Sequence, residues 1–373
     1  MGKRILITST DLMMIQFLVP HVQNLAEHGY EVEIACSEVG GRMKEVREKL
    51  KSHTKAIHTV RLVRSPASLT NLKGYRDMKK VINTGKYDII WTNEPVMGVV
   101  TRLAARTARK NGTKVLYMVH GFHFYKGAPA VNWMVYYPVE RWASRFCDEI
   151  VTINKEDYGR AKGFHVKRVE YIPGVGIDLD KYDIKVDREE IRASLGVNAE
   201  DYLLISIGEL TKRKNQKVVL DAIKAINNPR LKYIICGRGP LQDYLVEYIH
   251  QLGLDNQVSL LGYRRDLGKL CKASDLFVFP SRQEGLSVAL MEAMACGLPV
   301  VCSAIRGNTD LVEEGKGGYL TGVEDVGRIA GKICELALDP EKASAMGEFN
   351  KKEIEKYSLN ILKERLLGIY NSL

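Results

Sequence analysis

Short apolar runs rich in β-branched residues alternate with longer amphipathic stretches along the whole chain. In the first half the runs are RILIT, EVEIAC, DIIW, KVLYMV and EIVTI, and stretches with apolar positions at helical spacing include Phe17–His28 and Val99–Lys110. The second half repeats the pattern with YLLISIG, LKYIICG, VSLLG, LFVFP and PVVCS, separated by Gln216–Ile226, Leu241–Leu252, Leu267–Ala273 and Val288–Ala295. Such alternation predicts a parallel sheet covered by helices on both faces, and here it runs twice. The break falls in YIPGVGIDLDKYD, residues 171–183, where a proline and two glycines interrupt the periodicity. The expected fold class is therefore α/β, with two doubly wound, Rossmann-like domains at 1–172 and 184–356 joined by a linker at 173–183. A last stretch, 357–373, places Leu359, Leu362, Leu366 and Tyr370 on one helical face. That face needs a surface to cover, and packing back on the first domain is one option.

Open α/β sheets bind ligands beyond the carboxyl ends of their strands. In the first half those positions are Thr8-Ser9-Thr10, Ser37, Asn93-Glu94, His120-Gly121 and Asn154; in the second they are Gly208-Glu209, Gly237-Arg238-Gly239, Gly262-Tyr263-Arg264 and Ser281. The set is polar and glycine-rich and contains a histidine, as a polar ligand site requires. The two rims are expected to face each other across a cleft.

Charge sharpens this picture. Residues 1–180 carry 28 Lys/Arg and 18 Asp/Glu, whereas residues 181–373 carry 27 of each, so the whole net charge of +10 lies in the first half. A basic domain beside a neutral one suggests an anionic partner: a phosphate-bearing substrate, a membrane surface or nucleic acid. Arg102, Arg106, Arg109 and Lys110 fall close to one helical face, and Lys73, Arg76, Lys79 and Lys80 form a second basic stretch. No apolar run approaches the ~18 residues of a membrane span. The start, MGKRILITST, runs straight into a strand, which predicts no signal peptide and a cytoplasmic location. Seven scattered cysteines without a CxxC pair or a histidine grouping predict buried thiols and no zinc site. Asp178 and Asp180 read as linker residues, so no metal is expected.

The most chemical segment is EGLSVALMEAMACGLP, residues 284–299. Ser287 is placed to cap a helix over Val288–Ala295, Gly297 fits its C-terminal turn and Pro299 stops it. Glu284 then lies in the loop before the helix and Glu292 within it. Gly285 allows close backbone approach, and the Leu286 and Ser287 amides at a helix N-terminus make an anion site. GELTKRKN, residues 208–215, adds Lys212, Arg213 and Lys214 beyond a strand end, which suits a diphosphate. CGRGPL, residues 236–241, puts Gly239 in a strand-to-helix turn without the dinucleotide fingerprint. His120 ends a strand, which favours a functional role. His123, three residues on, is less well placed for chemistry and is assigned to the acceptor side with Thr10 and Glu94.

The ordered set MVHGFHFYKGAP, YIPGVGID, GELTKRKN, CGRGPL and EGLSVALMEAMACGLPVV resembles the family-4 glycosyltransferases, the retaining enzymes of GT-B fold. HGFHFYKGAP…NW…YYPVE…CDEIVTINKEDY is similar to the subgroup that builds bacterial exopolysaccharide and capsule. The resemblance implies that Glu284 lies against the transferred sugar and stabilises an oxocarbenium-like transition state, that Glu292 holds the ribose, and that Lys214 holds the diphosphate. It places His120 near the transferred sugar, Gly239, Tyr263 and Arg264 near the base or diphosphate, and the Leu286 and Ser287 amides on phosphate. The family commonly has arginine where Glu209 stands, so Lys212 or Arg213 is expected to supply that cation. Its Gly-Gly turn after the first strand is here TSTDLM.

The implied activity is metal-independent, cofactor-free transfer of a hexose or N-acetylhexosamine from a UDP-sugar, with retention, to a polyprenyl-diphosphate-linked glycan. The basic first domain is expected to meet anionic lipid at the inner face of the cell membrane, and no nucleic acid partner is expected. Two other readings stand beside it: a UDP-sugar epimerase of the same architecture, against which the E-x7-E segment argues, and a non-catalytic polyanion-binding protein suggested by charge alone.

Overall fold

Every strand pairing among the described residues is parallel. The structure, a computed structural model, describes residues 2–38 and 43–373. Its strands form two sheets. The first contains β1 (Arg4–Asp11), β2 (Glu31–Ser37), β3 (Ala56–Thr59), β4 (Ile89–Asn93), β5 (Lys114–Val119), β6 (Glu149–Thr152) and β7 (Arg168–Tyr171), in the order β3-β2-β1-β4-β5-β6-β7. The second contains β8 (Tyr202–Ile207), β9 (Leu231–Cys236), β10 (Val258–Gly262), β11 (Leu276–Phe279), β12 (Val300–Ser303) and β13 (Gly318–Thr321), in the order β10-β9-β8-β11-β12-β13. Central strands of parallel sheets are covered on both faces and read as continuous apolar runs. Ile5, Leu6 and Ile7 of β1 and Ile89, Ile90 and Trp91 of β4 accordingly lie fully inside.

The sheets belong to two compact units, Met1–Gly176 with Leu359–Leu373, and Ile177–Ser358. The helix Leu359–Ser372 is thus part of the first unit. It buries Leu362, Leu366, Ile369 and Tyr370, with the Tyr370 ring 5.4 Å from that of Trp91. Leu359 is only half-buried. The cysteines are free thiols, six of them buried and Cys334 half-buried.

The basic face expected of Arg102, Arg106, Arg109 and Lys110 does not form. The helix predicted over Val99–Lys110 is two helices, Pro95–Ala104 and Arg106–Lys110. Arg102 turns inward and is fully buried, where its guanidinium meets the Glu140 carboxylate at 2.7 Å. Arg109 makes a two-pronged contact with Asp148, at 3.0 and 2.7 Å. Arg106 and Lys110 stay exposed, as do Lys73, Arg76, Lys79 and Lys80.

One buried carboxyl makes stability pH-dependent. Glu149 opens β6 with no exposure, and neither oxygen has a hydrogen-bond partner. Arg168 stands 3.5 Å off. Burial pushes the carboxyl up to about 7, so the folded chain keeps a proton that the unfolded chain releases near ~4.3. Stability from this group is complete below that value and falls as pH rises to about 7. Glu149→Gln should therefore raise the melting temperature at pH 8 and change it little at pH 4.5. Parallel melting curves for the variant and the parent chain would contradict this account.

Candidate active site

In each sheet the strand order reverses between two central strands, β1 and β4 in the first and β8 and β11 in the second. The loops leaving neighbouring strands there run to opposite faces and open a crevice at the carboxyl ends. Thr10 and Glu94 lie at the first reversal point and Arg213, Lys214 and Glu284 at the second.

In the second unit, the loops after β8 and β11 are tied together. The Arg282 amide donates to the Arg213 carbonyl at 2.8 Å. Asn215 precedes the helix Gln216–Ile226 in a left-handed conformation, and its side-chain amide donates to the Pro280 and Val323 carbonyls. On this frame Lys214 Nζ and Arg213 Nη1 converge on one oxygen, Glu284 Oε1, at 2.8 and 3.0 Å. The Lys214 ammonium also stands 4.5 Å above the Phe279 ring. Burial pushes the Lys214 ammonium down in pKa, and Glu284 works against that shift. Its stem lies against Gly208, where an added Cβ would come within 3.0 Å of Lys214 Cε. Arg306, not anticipated from the sequence, donates from Nε to the Glu284 carbonyl at 3.0 Å and fixes the loop from its far side.

Beyond that loop the helix Val288–Ala295 starts as expected. Ser287 Oγ accepts from the Leu290 amide. Among the described residues neither the Leu286 nor the Ser287 amide has a hydrogen-bond partner, which leaves both available to an anion. Glu292 is half-buried one turn along and accepts from the Tyr182 hydroxyl at 2.6 Å. Burial pushes the Glu292 carboxyl up, against the Tyr182 hydrogen bond. Tyr182 lies in the segment predicted to be a linker; it gave no sequence signal because its partner is 110 residues away.

The remaining donor-side candidates lie around this centre at various distances. Gly239 packs against the β8 loop so tightly that a Cβ would lie 2.4 Å from the Leu210 carbonyl oxygen. Lys212 does not join Lys214; it lines a cavity of ≈ 690 Å³ with Gln216, Leu241 and Tyr244. Tyr263 and Arg264 follow β10 at the sheet edge. Arg264 is engaged by Asp266 at 2.8 and 2.5 Å, which holds the Asp266 carboxyl below its usual range. Glu209 is exposed, within electrostatic reach of Lys214.

The first unit has a matching contact across β1 and β4. Glu94 accepts from Ser9 Oγ and from the Thr10 amide, both at 2.6 Å. It does so from a backbone with φ 64° and ψ 154°, a conformation costly for any residue but glycine and concentrated at functional sites. Thr10, Glu94 and His123 line one cavity of ≈ 280 Å³, together with Arg64 and Tyr136, which the sequence reading missed. Tyr136 stacks on His123 with ring centres 4.6 Å apart.

His120 sits beside this group. Asn93 donates from Nδ2 to the Thr8 carbonyl, so its oxygen faces His120 Nε2, 2.9 Å away. That nitrogen must then carry the proton, which leaves Nδ1 as an acceptor. Burial pushes the imidazole down to about 4, so it is neutral near pH 7. Asp157 accepts from the Phe122 amide at 3.1 Å and pins the loop that carries both histidines.

Two Rossmann-like units with these strand orders define the GT-B class of fold. Residues 18–181 match the family described as Glycosyltransferase Family 4, and residues 187–353 match Glycosyl transferases group 1. EpsD of Bacillus subtilis (strain 168), a protein named as a glycosyltransferase, is 34% identical over 381 residues, spanning 100% of this chain and 97% of its own. The chain belongs to the family-4 glycosyltransferases. It is also 29% identical over 324 residues, 84% of this chain and 82% of the relative, to the Escherichia coli UDP-Gal:α-D-GlcNAc-diphosphoundecaprenol α-1,3-galactosyltransferase. Anabaena HepE, solved in complex with UDP, superposes with a TM-score of 0.83 over 100% of both chains at 23% identity.

Proposed function

We propose that this glycosyltransferase moves a hexose or N-acetylhexosamine from a UDP-sugar to a polyprenyl-diphosphate-linked glycan, with retained anomeric configuration, in the synthesis of a bacterial surface polysaccharide. The observation that carries this reading is the convergence of Lys214 and Arg213 on Glu284 at the foot of the Val288 helix. Cations, helix amides and a carboxylate are brought together where a sugar diphosphate would need all three. That HepE was solved with UDP and that the Escherichia coli relative acts on a diphosphoundecaprenol substrate both support it.

In this reading the donor diphosphate takes Lys214, Arg213 and the Leu286 and Ser287 amides. As the bond from the anomeric carbon to the phosphate oxygen breaks, these groups hold the growing negative charge in the role a metal plays elsewhere. Glu284 faces the positive charge developing on the sugar. The acceptor hydroxyl attacks the same face of the sugar, and its proton passes to the departing phosphate oxygen. His120, neutral and with Nδ1 open, accepts from a hydroxyl of the transferred sugar. Glu292, held through one oxygen by Tyr182, offers the other to the ribose. Thr10, Glu94 and His123 receive the acceptor, at the inner face of the membrane.

A thermal-shift screen of UDP-sugars, followed by assay of UDP release with lipid-linked acceptors, tests this. A true donor at a hundred times its Kd should add about 2.7 kcal/mol of stability. No shift and no UDP release with any common UDP-sugar would overturn the proposal. Glu292→Ala should weaken UDP binding about 10- to 100-fold through loss of a charged hydrogen bond, with a smaller effect on kcat. Calorimetric titration with UDP reads this, and an unchanged affinity would remove Glu292 from the ribose.

A further inference from the structure

The helix Ala130–Ala143 has an inner face that the site explains and an outer face that it does not. Inward, Tyr136 lines the acceptor-side cavity, Trp133 and Tyr137 pack around Phe124, and Glu140 is buried against Arg102. Outward, Val131, Met134, Val135, Val139 and Trp142 are 42–70% exposed. They are five of the thirteen large hydrophobic side chains exposed among the described residues, all on one helix of 14 residues. Their spacing follows a helical stripe about 16 Å long. A contiguous apolar face of this kind marks a surface that meets something other than water.

The surroundings of the stripe say what that is. Arg141 and Arg145 are exposed at its C-terminal end. Trp142 packs edge-on to Phe146, with ring centres 5.1 Å apart, and the Arg106 guanidinium lies 4.9 Å over the Phe146 ring. An apolar stripe that ends in tryptophan and three arginines has the make-up of an interfacial helix on an anionic bilayer. No helix among the described residues is long and apolar enough to cross a membrane.

We propose that Ala130–Ala143 is a membrane-docking helix. Its outer face seats at the boundary of headgroups and acyl chains, and Arg106, Arg141 and Arg145 contact anionic headgroups. Its inner face is a wall of the cavity that holds Thr10, Glu94 and His123, so docking places that cavity beside the bilayer. The purpose of docking rests on the proposed lipid-linked acceptor; the docking itself rests on the exposed face. Pro138, also exposed, frees the Met134 carbonyl from its helical partner on this outer side.

The test is co-sedimentation of the full chain with vesicles of phosphatidylglycerol and phosphatidylcholine, compared with vesicles of phosphatidylcholine alone. The parent chain should bind the anionic vesicles and show a blue shift in tryptophan emission. Met134→Glu with Val135→Glu should weaken partitioning about tenfold or more. Arg141→Gln with Arg145→Gln should weaken it about fivefold per charge on anionic vesicles and scarcely at all on neutral ones. These positions are exposed, so melting curves and UDP binding should match the parent chain. Absence of binding by the parent chain, or equal binding by the glutamate variant, overturns the proposal. A vesicle-free parent chain that sediments as a dimer and becomes monomeric in that variant also overturns it, because the stripe would then be a subunit interface. Vesicle binding by a chain that takes no UDP would sink the donor assignment and leave the docking helix standing.

Discussion

Glu284→Gln should slow transfer by about 10²–10³-fold while UDP still binds. The amide keeps the volume of the side chain and removes only its charge, so the loop held by Arg306 and Arg213 keeps its path. In the proposed mechanism, what is lost is the negative group facing the sugar as its anomeric carbon becomes cationic. Lys214 and Arg213 at the same time lose the anion they share in the unliganded chain. The diphosphate becomes their only counter-ion, and UDP affinity should stay level or tighten. Steady-state UDP release paired with calorimetric UDP titration separates the two effects. Near-normal transfer, or a collapse of UDP affinity along with transfer, would mean that Glu284 does not stand where charge develops.

Arg102→Met should destabilise the first unit by about 3–5 kcal/mol. Arg102 and Glu140 both lie inside, with side chains 0% and 4% exposed. Arg102 Nε donates to the Gly98 carbonyl, and the guanidinium lies 4.0 Å over the Tyr117 ring. The Tyr117 hydroxyl donates to the second Glu140 oxygen at 3.0 Å. Burial works against the charge on Arg102, yet Glu140, Tyr117 and Cys147 together outweigh it and hold the guanidinium above its ordinary pKa. Methionine fills much of the space but leaves Glu140 buried without a cation. Adding Glu140→Leu should recover most of the loss, since an apolar pair of similar volume is about as stable as a buried ion pair. Chemical denaturation of the single and double variants measures this, and a loss below about 1 kcal/mol in the single variant would contradict it. Because Glu140 belongs to the Ala130–Ala143 helix, the same loss should loosen the wall of the cavity lined by Thr10, Glu94 and His123.

The strands that escaped the sequence reading share one physical trait. Ala56–Thr59, Arg168–Tyr171 and Gly318–Thr321 are β3, β7 and β13, each at the edge of its sheet. An edge strand pairs on one side and has no need of a continuous apolar run, so AIHT and RVEY look like surface. Strands buried on both faces, such as KVLYMV, announced themselves. The site divides in the same way. Glu284, Glu292 and Ser287 were legible because the caps and the stop of one helix fix their places within sixteen residues of sequence. Tyr182 and Arg306 were not, since each acts through a partner outside its own local pattern, 110 and 22 residues away; Arg64 and Tyr136 become visible only as walls of a folded cavity. The helical spacing of charge misled for a related reason. It counted Arg102 and Arg109 into one exposed basic face, although Arg102 is buried on Glu140 and Arg109 is held by Asp148. It also missed that the unusual surface of the first unit is an apolar stripe with a basic end.

The partition of the chain also sets an order of events during synthesis. The first unit consists of residues up to Gly176 together with Leu359–Leu373, and the whole second unit is encoded between them. A nascent chain that has reached Ser358 has every strand of both sheets but lacks the helix that covers Trp91 with Tyr370. The second unit can therefore finish folding while the first, although made earlier, still exposes apolar surface. For this polypeptide the sequence in which the halves leave the ribosome is the reverse of the sequence in which they become complete.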